Sequence, residues 1–457
     1  MSTERIQAAL RDATDTTDVV IAAGVLSSVG EVFDRTFGDV PAVVVADENT
    51  YEVAGEEVHR RLTAAERTMV DPYVFPGRPT LRAEYGNITT LVGWLRTHNA
   101  IPVAVASGTL NDIVKRAAHE CDRPYLAVAT AASVDGYTSF GASITKNGFK
   151  QTLTCRAPRV VIADLDVLTA APAIMTASGY GDLLGKVPAG ADWIVADELG
   201  VDPIDPHVWD LVHGPLRAAT ARPAELSAGD RDAMLALVEG LMMSGLAMQV
   251  SGSSRPASGA EHYFSHLWEL EGLAHGVDGG PVPEHGLKVG FGSIAVAAFY
   301  ERLLHRDLGE IDVDARRAAW PSWDEMEQAV RATHTTPGLD TAAVEQSRAK
   351  YIDADQLAER LTLVGEGWPA LRERIQRQLL SADQLRDQLR AAGAPTSPGE
   401  LGLRLEDLKA TYTRARLIRS RYTAVDLAYE AGILEEIVEE LFAPGGYWAR
   451  PSHNSSP

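Results

Sequence analysis

Five short runs of β-branched and small apolar residues, DVVIAA, PAVVVAD, PVAVAS, YLAVAT and VVIADL, recur between residues 18 and 165. A strand that is apolar at every position is buried on both faces, and helices are what cover both faces of a sheet. The segments between the runs, such as EEVHRRLTAAE and NDIVKRAAHEC, are amphipathic with helical spacing. The alternation predicts a parallel sheet covered by helices, a Rossmann-like α/β domain. One stretch breaks it. VDGYTSFGASITKNGFKQTLTC carries Asn147-Gly148 between strand-like flanks, which predicts an added hairpin.

Beyond residue 168 the strand-like runs stop and Leu/Ala-rich helical periodicity takes over. Two domains follow: 1–168, a dinucleotide-binding type α/β domain, and 169–457, all-helical. Helices are expected over 228–250, 260–273, 289–306, 323–332, 342–363, 367–391, 400–419 and 421–442. The tail RPSHNSSP is expected to be disordered. No apolar run reaches the length of a membrane span, and LALVEGLMMSGLAMQV, interrupted by Glu and Gly, is expected as a buried core helix. The net charge of −21 repels phosphate backbones and anionic lipid surfaces, so neither nucleic acid nor membrane is an expected partner. Two distant cysteines, Cys121 and Cys155, make no disulfide framework or zinc motif, which fits a cytoplasmic protein.

Several residues carry potential chemistry. In PVAVASGTLNDIVK a strand runs through Ser107-Gly108-Thr109 into a helix. Such a turn exposes N–H donors to a phosphate, or is an ordinary capped turn. Asp47 ends an earlier strand, where a carboxylate can hold ribose hydroxyls or cap a helix. His262 and His266, in GAEHYFSH, share one helix face. That spacing suits metal binding and suits partly buried helix histidines equally. Asp182, in SGYGDLLGK, and His285, in PVPEHGLKVGFGS, would add a carboxylate and a third imidazole. Asp182, His262 and His285 together suit a catalytic divalent metal such as zinc, iron or nickel, leaving His266 beside it for a bound substrate.

The run ASGTLNDIVK…TAASVDGYTS…APRVVIADLDVL…AAPAIMTASGYGDLLGK…ADW…GSSRPASGAEHYFSHLWE…HG…VGFGS resembles the sn-glycerol-1-phosphate dehydrogenases of the iron-containing alcohol dehydrogenase and dehydroquinate synthase superfamily. The likeness spans roughly residues 18–445, and AAGAPTSPGELG and RYTAVDLAYEAG place it nearest the bacterial branch. The resemblance implies a dehydroquinate synthase-like fold with a metal- and substrate-binding helical domain. It implies Asp182, His262 and His285 as metal ligands, with Asp135, Asp182 and His266 on the substrate and Asp135 and His266 catalytic. It implies NAD(H) or NADP(H) contacts at Asp47, Ala106, Ser107, Gly108, Thr109, Leu110, Thr130, Ser133 and Ser139. Ala106 stands where the family's loop usually has glycine, and its methyl is expected to crowd a pyrophosphate.

The implied reaction is reduction of dihydroxyacetone phosphate to sn-glycerol 1-phosphate. Alternatives are another small aldehyde or ketone, such as a phosphonate, or a dehydroquinate synthase-like lyase. The substrate is a small phosphorylated molecule, and a homodimer is left open. Its phosphate needs a cation, for which Lys146, Lys186 and Arg255 are candidates.

Overall fold

The computed structural model describes residues 4–146, 149–277 and 280–450. The chain gathers into two compact units, one of residues up to 183 with 207–254 and 391–393, the other of residues 184–206, 255–390 and 394 onward. This division does not follow the change of pattern at 168/169. Helices beyond the last strand stay with the first unit because they pack on the loop 130–139 that follows the fifth strand.

The first unit is built on β1 (Asp18–Ala22), β2 (Ala42–Asp47), β3 (Met69–Phe75), β4 (Ile101–Ala106), β5 (Leu126–Ala129), an added pair β6 (Ala142–Lys146) and β7 (Phe149–Leu153), and β8 (Val160–Asp164). Six of them form one parallel sheet in the order β1-β8-β5-β4-β2-β3. The inner strands β4, β5 and β8 are buried along nearly their whole length, which is why they read as unbroken apolar runs. The sequence reading missed β3. Its MVDPYVF is half-exposed and lies at the sheet edge, where the missing N–H of Pro72 is tolerated. The β2–β3 register slips between Val43↔Val70 and Val45↔Tyr73, across Asp71-Pro72. β6 and β7 pair antiparallel, ending at Lys146↔Phe149, as the hairpin signal requires. The Asn147-Gly148 turn itself and the tail after residue 450 lie outside the described residues.

Strand order decides where a ligand can sit. From β2 the chain moves outward to β3, then returns to β4 on the other side of β2. The carboxyl ends of β2 and β4 therefore flank a topological switch point, where crossovers leave a crevice. Asp47 and Ala106 are the last residues of those two strands.

Three helices meet the loop 130–139 that follows β5: α1 (Gly108–Glu120), α2 (Ala173–Leu184) and α3 (Arg231–Ser251). Against expectation, α3 has the length and hydropathy of a membrane span; 78% of its apolar window is buried inside the protein, as a core helix would be.

Among its described residues the second unit has helices and no strand. It contains α4 (Ala260–Leu270) and α5 (His285–Leu303), the latter starting at His285 rather than at 289. The expected helix over 342–363 is two, Leu339–Lys350 and Ala354–Gln378, and the second runs through the expected break near 365. Asp353 and Gln356 form a capping box that starts it, and buried Trp368 and Leu371 hold it across Pro369.

α2 lies backbone to backbone on the 130–139 loop. A Cβ on Gly179 would stand 1.9 Å from the Ala132 carbonyl oxygen. Gly179→Ala is expected to cost about 3 kcal/mol or more through this overlap. Gly93→Ala, at an exposed position of a helix with nothing within 4 Å of the added methyl, is expected to stabilise by about 0.5–1 kcal/mol. Thermal denaturation of both variants checks the pair; equal melting temperatures would refute the tight packing of α2.

Candidate active site

In the first unit the cofactor candidates gather at the carboxyl ends of β2, β4 and β5. Asp47 Oδ1 accepts from Thr50 N at 2.9 Å in a capping box, so the capping role weighed for it is present at the strand end. Ser107 is the N-cap of α1, yet its hydroxyl makes no capping bond. The first turn of α1 thus keeps its N–H donors and positive dipole end for something else. A Cβ on Gly108 would meet Val134 Cγ2 at 3.0 Å, so glycine lets the helix start close on the 130–139 loop. Ala106 is buried, and its carbonyl accepts from Thr130 N at 3.0 Å and from the Tyr137 hydroxyl at 3.2 Å.

That loop carries Thr130, Ser133, Asp135 and Ser139, and its shape is imposed from several sides. Ser178 donates to Ser133 O at 3.0 Å, and Thr138 donates to Met242 O at 2.8 Å. From α1, the fully buried Lys115 ammonium donates to the carbonyls of Gly136 (2.7 Å), Ser139 (2.9 Å) and Gly141 (3.1 Å). Asp135 N donates to Asp182 Oδ2 at 3.0 Å, and Ser244 donates to Asp135 Oδ2 at 2.8 Å. Asp135 and Asp182 are therefore brought together and oriented by named bonds, with Asp182 almost wholly buried on α2.

In the second unit the three histidines converge. Ring centroids are 6.0 Å apart for His262 and His266, 5.5 Å for His262 and His285, and 5.5 Å for His266 and His285, the last pair stacked. The i,i+4 spacing on α4 sets the first pair, and α5 delivers His285 to it. A carboxylate stands behind two of the rings. His262 Nδ1 lies 2.7 Å from Glu261 Oε1, and His285 Nδ1 lies 3.0 Å from Glu269 Oε1. With those acids ionised, each Nδ1 carries the proton and each Nε2 carries the lone pair, the arrangement seen behind metal-ligating imidazoles. Lys288 also donates to Glu269 Oε1, at 3.1 Å.

The surroundings are rich in buried negative charge. Glu261 is fully buried; its Oε1 also accepts from Gly259 N at 2.7 Å, and its Oε2 has no hydrogen-bond partner among the described residues. Buried Asp192 accepts from Ala260 N at 2.8 Å, Ala424 N at 2.9 Å and the Tyr300 hydroxyl at 2.7 Å. Burial, and then the charge of Glu261, push its carboxyl up to about 6. Among the described residues no three His, Cys, Asp or Glu side chains form a ready metal-holding group. The donor set nonetheless fits a divalent cation: two lone-pair imidazole nitrogens, backed by carboxylates whose charge a dication would offset.

A family model for iron-containing alcohol dehydrogenases matches residues 20–172. A glycerol-1-phosphate dehydrogenase (NAD(P)+) of Bacillus subtilis (strain 168) is 30% identical over 391 residues, 85% of this chain and 85% of the relative. The chain belongs to the glycerol-1-phosphate dehydrogenase family. A glycerol-1-phosphate dehydrogenase (NAD(P)+) from Halalkalibacterium halodurans is 38% identical over 266 residues, 58% of this chain and 66% of the relative. Among solved structures, a probable glycerol dehydrogenase from Sinorhizobium meliloti 1021 matches with TM-score 0.60 at 16% identity, covering 93% of this chain and 98% of that one. Maleylacetate reductase from Agrobacterium tumefaciens matches with TM-score 0.60 at 17% identity, covering 96% and 98%. Those two likenesses establish the fold.

Family membership gives the missed residues their meaning. Lys115, Ser244, Glu261 and Glu269 each position a candidate residue or the loop that bears it. Lys115 left a trace in the sequence, because it lies on the apolar face of NDIVKRAAH, where a lysine has no reason to be unless something buried receives it. The cations proposed for a phosphate fare differently. Arg255 is buried and spent within its own unit, donating to Tyr422 O (3.0 Å) and Asp192 O (2.8 Å) and pairing with Asp202 at 3.2 Å. Lys146 sits over the Tyr85 ring at 4.0 Å.

Two measurements check these positions. Gly108→Val drives a branched side chain into Val134 and is expected to raise the Michaelis constant for NAD(P)H at least ~10-fold with metal content intact; Ala106→Gly beside it shows whether the methyl crowds the cofactor. His262→Ala is expected to lose bound metal, read by elemental analysis. Full metal occupancy in that variant would remove His262 from the site.

Proposed function

We propose that the chain reduces dihydroxyacetone phosphate to sn-glycerol 1-phosphate with NADH or NADPH. The observation that carries this is the pair His262 and His285, each with a carboxylate on Nδ1, in a chain of the glycerol-1-phosphate dehydrogenase family. By family resemblance His262 and His285 hold a divalent metal, zinc, nickel or iron, with Asp182 as third ligand. The metal, when bound, supplies Lewis acidity to a carbonyl oxygen, and the reduced nicotinamide supplies the hydride.

The chain's own residues bind and orient. The free N–H donors opening α1 receive the cofactor pyrophosphate, and Asp47 and the 130–139 loop receive the rest of it. Asp135, held by Ser244 and by its bond to Asp182, holds a substrate hydroxyl. His266 has its pKa pushed well below the usual histidine range by burial and then by the nearby Arg419 charge. A neutral ring has one N–H and one lone pair, so His266 suits passing a proton between a substrate hydroxyl and its surroundings rather than standing as a charged acid.

Purified protein loaded with each metal in turn is incubated with dihydroxyacetone phosphate and NADH or NADPH, and the product enantiomer is identified with a stereospecific coupling enzyme. Consumption of reduced nicotinamide with the sn-1 product is expected. Oxidation only with another carbonyl compound would move the function to a different dehydrogenase, and turnover without net consumption of cofactor would move it to a lyase. His266→Ala is expected to keep metal and cofactor yet lose roughly 10²–10⁴-fold in rate, the scale of a positioned proton-transfer group.

A further inference from the structure

We propose that Arg419 is the cation that takes the phosphate of the substrate. This rests on the reading of the chain as a reductase of a small phosphorylated ketone. The segment around Arg419 runs along α4, the helix of His262 and His266. Arg414 bonds Glu271 at the C-terminal end of α4. The Tyr263 hydroxyl donates to Arg421 O at 3.1 Å, and Arg421 Nη1 donates to Ser258 O at 3.0 Å near the other end. Between those anchors the turn 415–418 packs against α4, so Arg419 follows directly on a segment held alongside the helix that carries His266.

What sets Arg419 apart is its want of a partner. Its hydrogen bond among the described residues goes to the carbonyl of its own neighbour, Ile418, at 2.9 Å. Several other cations of this unit reach acids: Arg360 reaches Glu430 at 2.6 Å, Lys350 reaches Asp426 at 2.6 Å, Arg414 reaches Glu271, and Arg255 reaches Asp202 at 3.2 Å. The acid with most influence on Arg419, Glu269, is spent on His285 and Lys288. A half-buried guanidinium with no carboxylate is costly, and desolvation lowers its pKa. It is stranger still in a chain of net charge −21, where acids outnumber bases. Four of its five N–H groups remain for an anion, in the planar fork that matches two phosphate oxygens. A ligand phosphate beside His266 satisfies that fork and places the rest of the ketone against the histidine cluster.

The test compares metal-loaded wild type with Arg419→Gln. Inorganic phosphate is titrated calorimetrically into both, and turnover is measured with dihydroxyacetone phosphate and with unphosphorylated dihydroxyacetone. The expected results are loss of phosphate binding and a fall of about 10²-fold in discrimination for the phosphorylated ketone, the scale of a lost charged hydrogen-bond pair. Arg419→Gln is also expected to melt no lower than wild type, because it removes an uncompensated charge. Phosphate binding at wild-type affinity in Arg419→Gln would overturn the assignment. So would an equal fall with both ketones accompanied by a lower melting temperature, since that is a structural role. If Arg419→Gln does not fold, Arg419→Lys decides: the Michaelis constant for dihydroxyacetone phosphate should rise ~10-fold as the fork is lost, and an unchanged constant sinks the idea. Wild type that consumes no NAD(P)H with dihydroxyacetone phosphate defeats the proposed reaction alone; the phosphate titration still decides on Arg419.

Discussion

A buried ammonium holds the carboxyl end of the parallel sheet in shape. The 130–139 loop follows β5 into the interior with no sheet ladder to satisfy its carbonyls, and an unpaired buried carbonyl is costly. Lys115 meets that need, donating to Gly136, Ser139 and Gly141 from the third turn of α1. Because α1 also starts at the Ser107-Gly108 turn, one helix both leaves its N-terminal N–H donors open at the carboxyl end of the sheet and fixes the 130–139 loop. Thr130, Ser133, Asp135 and Ser139 depend on that single arrangement. The absence of a side chain on Gly179 lets α2 approach the same loop and bring Asp182 to Asp135.

The second unit solves a different problem. Glu261, Asp192 and Glu269 are carboxylates in a largely dry interior, and two of them are spent on orienting imidazoles. Buried acids are unfavourable by themselves: burial, and then the charge of Glu261, push the Asp192 carboxyl up to about 6. In the function proposed for this chain, these acids support a cation held by the histidines. The same accounting, applied to positive charge, isolates Arg419. Several cations of this unit are matched by acids, whereas Arg419 has none among the described residues, and we read its charge as left for a ligand.

Much of this was legible from the chain alone. The apolar runs gave five of the six sheet strands, and the motif GAEHYFSH gave the helix face on which His262 and His266 stand. β3 escaped because an edge strand is half-exposed and tolerates Asp71 and Pro72, which read as turn residues. The helix break at Tyr351–Asp353 escaped because Asp353 and Gln356 look like any solvated helix residues until their capping bonds are seen. Arg255 was a reasonable phosphate candidate by its place in the motif run. Its burial against Asp192 and Tyr422 could not be read from composition.

The sequence by itself determined the parallel sheet, the switch to helices, the glycine turn before α1 and the residue types that the family uses, because local periodicity and short motifs are written in neighbouring residues. Tertiary structure alone decided which charges are satisfied. Glu261 and His262 are adjacent in the chain, but Glu269 and His285, Lys115 and Gly141, or Arg414 and Glu271 meet only after folding. Desolvation and pairing depend on distances in space between residues far apart in sequence, and it is from those distances that Arg419 emerges as a cation without an acid.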